Sequence, residues 1–225
     1  MSWSKQGGPS GPRGYHHGNL KEALIRAALA LIAQKGTAGF TFAEAARWAG
    51  ESPAAPYRHI SDRDELLADV ARRGFEQFES ALTRAWEGGR PNAFAALERV
   101  GKAYLAFARS EPAYYSAMFE AGIALDSRPQ LREAGERCFD VLRQATEQVV
   151  GTMPAKHRPP VLMMALHIWS MSHGIASLFC RGDAAGRSLP MPAEELLEAA
   201  MLIYLRGLGL NVPPGGAEKS NQQSA

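Results

Sequence analysis

Apolar residues recur at three- and four-residue spacing through most of the chain, and no stretch alternates strictly between apolar and polar positions. The pattern therefore predicts helices and no strands. Leu20, Leu24, Ala28, Leu31 and Ile32 fall on one face of a first helix, which Gly36 ends after Lys35. Two short helices are expected over Phe42–Ala49 and Pro53–His59. A long one begins after Ser61 and runs to about Glu87, where Gly88-Gly89-Arg90-Pro91 stops it. Further helices are expected at Ala93–Arg109, Ala113–Ala121, Arg128–Val150, Pro160–Arg181 and Ala193–Leu208, with a loop over Gly182–Pro192 and a polar, disordered tail from Pro213.

The helix starts near residues 41 and 52 are written into local chemistry. Thr41 caps the helix that it begins, and Glu44, three residues on, bonds back to it in a reciprocal capping box. Ala45, Ala46 and Ala49 give that helix a face of little bulk, and Gly50 permits a sharp turn. Ser52 caps the next helix, with Pro53 at its first position, where a missing amide proton costs nothing. Two short helices crossing closely through a tight turn make a helix-turn-helix. The small residues Pro53, Ala54 and Ala55 let the second of them press into a major groove, Tyr57 and His59 can donate to phosphates, and Arg58 is the candidate to read a base edge. Taken singly, Tyr57 and Arg58 could equally dress a surface helix.

Charge and composition bear on the partner only weakly. The 225 residues carry a net charge of +2, yet residues 1–60 hold seven basic side chains against three acidic ones, an excess of four. An apolar fraction of 46% suffices for a core and excludes a disordered or fibrous chain. Cys138 and Cys180 are far apart, so neither a disulfide framework nor a zinc ribbon is indicated, and both are expected as reduced thiols. The Gly-, Ser- and Pro-rich start has no apolar run of the secretory kind, and a cytoplasmic location is expected. Val161–Cys180 lacks any Asp, Glu, Lys or Arg over a length that could span a bilayer, but His167, Ser170, Ser172, His173 and Ser177 would be costly in hydrocarbon. It is read as a buried bundle helix, with no membrane partner. No HExxH, GxSxG, P-loop or GxGxxG is present, so no enzyme is indicated. Arg13-Gly-Tyr-His16-His17 is a solvated arm or one that reaches a minor groove; no third ligand lies at usable spacing for a metal, and no cofactor is expected.

Thr41, Ala46, Gly50, Ser52, Tyr57, His59, Arg63 and the Leu66-Leu67 pair together resemble the TetR-type DNA-binding domain over about Tyr15–Phe78. The resemblance implies that Thr41, Tyr57, His59 and Arg63 contact phosphates, and that Pro53, Ala54, Ala55 and Arg58 lie toward bases. One departure is Glu51, where the family usually carries an apolar residue inside the turn; a carboxylate there turns outward and opposes DNA.

In the remainder, Leu197, Met201, Tyr204 and Leu208 form one stripe on the last helix, and Leu196, Ala200, Ile203 and Gly207 a second beside it. A helix apolar on two sides needs two partners: its own core and, with Val161–Cys180, a second copy across a two-fold axis. Trp169-Ser-Met-Ser-His173-Gly174 and Glu111-Pro112 to Phe119 are similar to the WHG-type C-terminal domain of one TetR branch. Tyr114, Tyr115, Met118, Phe119, Met163, Met164 and Met171, with Trp169 and His173, are either core or the lining of an adaptable ligand cavity.

The expected fold class is all-α, with an arm over 1–14, a three-helix DNA-binding domain over 15–78, a ligand-binding and dimerisation bundle over 79–212 and a tail over 213–225. The expected function is a sequence-specific regulator: a homodimeric repressor on a near-palindromic DNA operator, released by a small-molecule effector. A helical adaptor that binds only protein would explain the stripes but not the capped unit from Thr41 to Ile60.

Overall fold

A computed structural model describes residues 17–50, 60–125, 128–180 and 190–210, and among them it contains eight α-helices and no strand. The fold is all-α, as the periodicity predicts. The expected helix Pro53–His59, the arm up to His16, Glu51 and the tail from Pro213 lie outside the described residues.

The head is built from α1 (His17–Lys35), α2 (Phe42–Trp48) and the first turns of α3 (Arg63–Trp86). Leu24, Ile25, Ala28, Leu31 and Ile32 of α1 are buried against α2 and α3, which fits their helical spacing. Ala45 and Ala46 of α2 are fully buried, so the small face is the one used in packing. Gly50 takes φ +78°, the left-handed turn that its missing Cβ allows. α3 is doubly capped. Asp62 is its N-cap and accepts the Glu65 N–H at 2.8 Å, while the Glu65 carboxylate accepts the Ser61 N–H at 2.6 Å and its O–H at 2.7 Å.

α3 then continues out of the head. Its 24 residues span roughly 36 Å at about 1.5 Å per residue, and the expected domain boundary at 78/79 falls inside it. α4 (Ala93–Ser110), α5 (Pro112–Phe119) and α6 (Pro129–Gly151) pack against α3, and α4 also meets α7 (Val161–Cys180) and α8 (Ala193–Gly207). Arg99 of α4 closes the C-terminal end of α3: its Nε donates to the Ala85 carbonyl at 2.8 Å and its Nη2 to those of Trp86 and Arg90.

α5 is seated between head and body, packing on α1 and α3. The close approach is made at Gly74, where a Cβ would stand 2.7 Å from the Met118 sulfur and 3.3 Å from the Tyr114 Cβ. Two ion pairs join α1 to α3 nearby: Arg73 grips Glu22 with both terminal nitrogens, and Lys21 meets Asp69 at 2.7 Å.

On α8, Ala193, Leu197, Met201 and Leu205 are buried, whereas Ile203 of the second stripe is 74% exposed. α7 is likewise split, with Met164, Ile168, Ser172 and Ala176 buried and Leu162, Met163, Leu166 and Leu178 exposed. Among the described residues, α7 is the one helix long and apolar enough to cross a membrane, and its inner face is packed on α4, α6 and α8.

Candidate functional site

In the head, the capping box fixes α2. The Thr41 hydroxyl accepts the Glu44 N–H at 3.2 Å and the Glu44 carboxylate accepts the Thr41 N–H at 2.8 Å, while Lys35 adds an ion pair at 2.9 Å. The Thr41 backbone bond and then the Lys35 contact lower the Glu44 carboxyl to about 2. Thr41 itself is exposed at the start of α2. Pro53, Ala54, Ala55, Tyr57, Arg58 and His59 lie outside the described residues, but the segment that holds them leaves Gly50 and returns at Ile60, which is buried.

Arg63 has a different environment from a free surface cation. Its Nε donates to the Phe40 carbonyl at 3.0 Å, Nη2 donates to the Thr37 carbonyl, and the guanidinium lies 5.1 Å from the centre of the Phe40 ring. Nη1 stands 3.5 Å from Asp64. The side chain therefore ties the first turn of α3 to the loop between α1 and α2, with all three nitrogens engaged and the Nη1 contact to exposed Asp64 the longest.

The second site lies in the body. A cavity of about 480 Å³ opens between α3, α4, α6 and α7, within the size range of small-molecule sites. Phe75, Phe78 and Leu82 of α3 form one wall, Cys138, Phe139 and Leu142 of α6 another, and α5 contributes Met118 and Phe119. Tyr104, Trp169 and Ser172 supply the polar atoms, and Arg132 and Glu136 stand at the rim.

Of the sequence candidates, Met118, Phe119 and Trp169 line this cavity. Tyr115 and His173 do not line it but stand behind Tyr104: the His173 Nδ1 is 3.0 Å from the Tyr104 hydroxyl and 2.8 Å from that of Tyr115. The rings are stacked as well as bonded, with Tyr115 and His173 at 5.7 Å and 24° and Phe119 edge-on to His173 at 5.0 Å. Met164 is fully buried elsewhere in the core, Met163 is exposed on the outer face of α7, and Tyr114 lines an open groove over α3 and α4. Met171 does not reach the cavity either.

Tyr104 was not among the sequence candidates. Its signal was the apolar face Leu97, Val100, Tyr104, Leu105 and Ala108, which places a phenol inside, where its hydroxyl needs a partner. His173, 69 residues on, is that partner. Burial, and then the neighbouring Tyr115, push the Tyr104 phenol far above its ordinary range, so it stays a neutral donor. Burial likewise pushes the Cys138 thiol up to about 12, with the negative charge of Glu79 adding to it.

Comparison with known proteins gives two family matches. A model described as bacterial regulatory proteins, tetR family, covers residues 24–70, and one described as tetracyclin repressor-like, C-terminal domain, covers residues 97–204. The chain is 30% identical to a protein of unknown function from Rhodococcus sp. RHA1, with 88% of this chain and 100% of that one covered at a TM-score of 0.70. It is 22% identical to the TetR family transcriptional regulator PfmR from Thermus thermophilus, with 81% and 97% covered at 0.64. It is 12% identical to the fatty acid degradation regulator FadR from Bacillus halodurans, with 88% and 97% covered at 0.64. No curated protein matches the chain.

Two outcomes follow from the geometry of the head. Arg63→Ala leaves the Thr37 and Phe40 carbonyls without their donor and is expected to cost about 1–3 kcal/mol, read as a lower urea midpoint. An unchanged midpoint would remove the clamp from the account. Glu44 has a folded pKa of about 2, below its ordinary 4.5, so its contribution is complete above 4.5 and is lost as pH falls through about 2. The difference in Tm between the parent and Glu44→Gln should therefore shrink with acidification across that window. A difference that stays constant by circular dichroism would refute it.

Proposed function

The chain belongs to the TetR family of bacterial regulators, and from that premise we propose that it is a homodimeric repressor which a small molecule releases from its operator. That it is a DNA-binding transcriptional regulator rests on the two family matches, which between them take in both the head and the body. The observation that carries the finer reading is the course of α3. One uninterrupted helix starts at the Arg63 clamp in the head, and its Phe75, Phe78 and Leu82 wall the cavity.

In this reading the two heads sit in successive major grooves of a near-palindromic site, roughly 34 Å apart. Pro53, Ala54, Ala55 and Arg58 lie toward bases, and Thr41, Tyr57 and His59 meet phosphates. Arg63 contributes mainly as the clamp that sets where α3 leaves the head, with Nη1 the nitrogen nearest to being available for a phosphate. The domains divide functionally as arm, head over 15–78, body over 79–212 and tail, with α3 shared between the middle two. The protein works in the cytoplasm, where its DNA is.

The homodimer is supported by the outer faces of α7 and α8. Of the eight large apolar side chains exposed among the described residues, Leu162, Met163 and Leu178 lie on the outer face of α7 and Ile203 on α8, while Leu166 of α7 borders the cavity. Gly174, on the same side of α7, has open space around it, so a neighbouring helix can come close. An effector in the cavity needs to distinguish two head separations by about 1–3 kcal/mol to act as a switch.

The reading is tested by sedimentation and by fluorescence anisotropy on duplexes recovered from genomic footprints. Ile203→Glu should shift the dimer toward monomer and weaken operator binding, while Arg58→Ala should reduce discrimination between operator and random duplex by about 1–3 kcal/mol. A parent chain that sediments as a monomer and binds no duplex at low salt would end the proposal.

A further inference from the structure

We propose that the cavity takes an uncharged ring compound carrying a hydroxyl or carbonyl at one end, bound by Tyr104 and Ser172. This deepens the effector reading above and rests on it. The walls set the body of the ligand. The rings of Phe75, Phe78, Phe119, Phe139 and Trp169 all line the space, and such faces favour flat or rigid apolar rings.

Charge excludes the alternatives. Among the lining residues only Arg132 and Glu136 are charged; they are one turn apart on α6, 3.5 Å from each other, and 49% and 66% exposed. They cancel at the rim and leave no cation inside. A carboxylate or an ammonium drawn into the interior would lose its water without gaining a counter-charge.

The polar end is set by two hydroxyls. Ser172 is 2% exposed and donates to the Ile168 carbonyl at 2.9 Å, so what it offers the cavity is acceptor lone pairs. Tyr104 is the complementary donor. Its hydroxyl lies near a His173 nitrogen that is closer to Tyr115, at 2.8 Å against 3.0 Å. A single lone pair on that nitrogen cannot serve both phenols. Tyr104 is the more distant of the two phenols and the one that lines the cavity, so its hydroxyl keeps the His173 contact when the cavity is empty and can turn to a ligand oxygen when it is filled. A ligand hydroxyl uses both handles, and a ligand carbonyl uses Tyr104 alone.

The test is calorimetric titration of the full chain near neutral pH with three matched probes: 2-naphthol, naphthalene and 2-naphthoate. 2-Naphthol should bind at least about tenfold more tightly than 2-naphthoate. Tyr104→Phe should weaken 2-naphthol by about three- to tenfold and leave naphthalene within about twofold. Gly135 lines the cavity, and the nearest atoms to a Cβ there would be those of the Phe75 ring, at an ordinary contact distance of 3.8 Å, so Gly135→Leu fills the space and should abolish binding of all three probes. Equal or tighter binding of 2-naphthoate overturns the ligand class while the effector reading stands. Loss-free binding of 2-naphthol by Tyr104→Phe overturns the polar end. If no probe binds, or if binding survives Gly135→Leu, the cavity is not the ligand site and both readings fall, whatever the chain does with DNA.

Discussion

The structure depends on one helix belonging to two cores at once. α3 buries Leu66, Leu67 and Val70 completely within the head, and two turns further on buries Phe75 and Phe78 within the body. A packed helix has no soft joint in its middle, so displacement at one end is carried to the other. What adjusts is the side-chain packing around it. For that reason the fixings at its two ends matter: Asp62 and Glu65 with the Arg63 clamp at the start, and Arg99 on the last carbonyls. α5 completes the linkage, since Met118 and Phe119 line the cavity while the same short helix rests on α1 of the head.

The body sets a polar cluster inside an apolar shell. Tyr104 and Tyr115 share the His173 Nδ1 as a partner, which lowers the cost that each polar group would carry alone in that interior. The aromatic contacts hold the same rings at fixed angles, so the donors are positioned before anything enters the cavity. Preformed geometry of this kind spares a ligand the entropy of ordering its site.

What was legible in the sequence was local. The Thr41–Glu44 box, the turn at Gly50 and the extent of α3 each arise from residues within a few positions of one another, and the structure contains all three; on α8 the two apolar stripes are less cleanly divided, since Leu196 of the second also packs on the core and only Ile203 stands well exposed. Arg63 was legible as important but not as a clamp, because its acceptors are backbone carbonyls 23 and 26 residues away that carry no sequence signature. Tyr104 escaped notice for the same reason: its histidine partner lies 69 residues on. α7 is apolar almost all round, so its composition could not tell the buried Met164 from the exposed Met163 beside it, and only tertiary packing separates them.

The state of Cys138 has a consequence for how the cavity communicates with its surroundings. Sulfur reacts as thiolate, and a group held at about 12 is almost entirely thiol in a living cell. Peroxides and electrophiles reaching that wall would find little thiolate to attack. A visitor held there without a covalent bond would follow its own free concentration and leave on dilution.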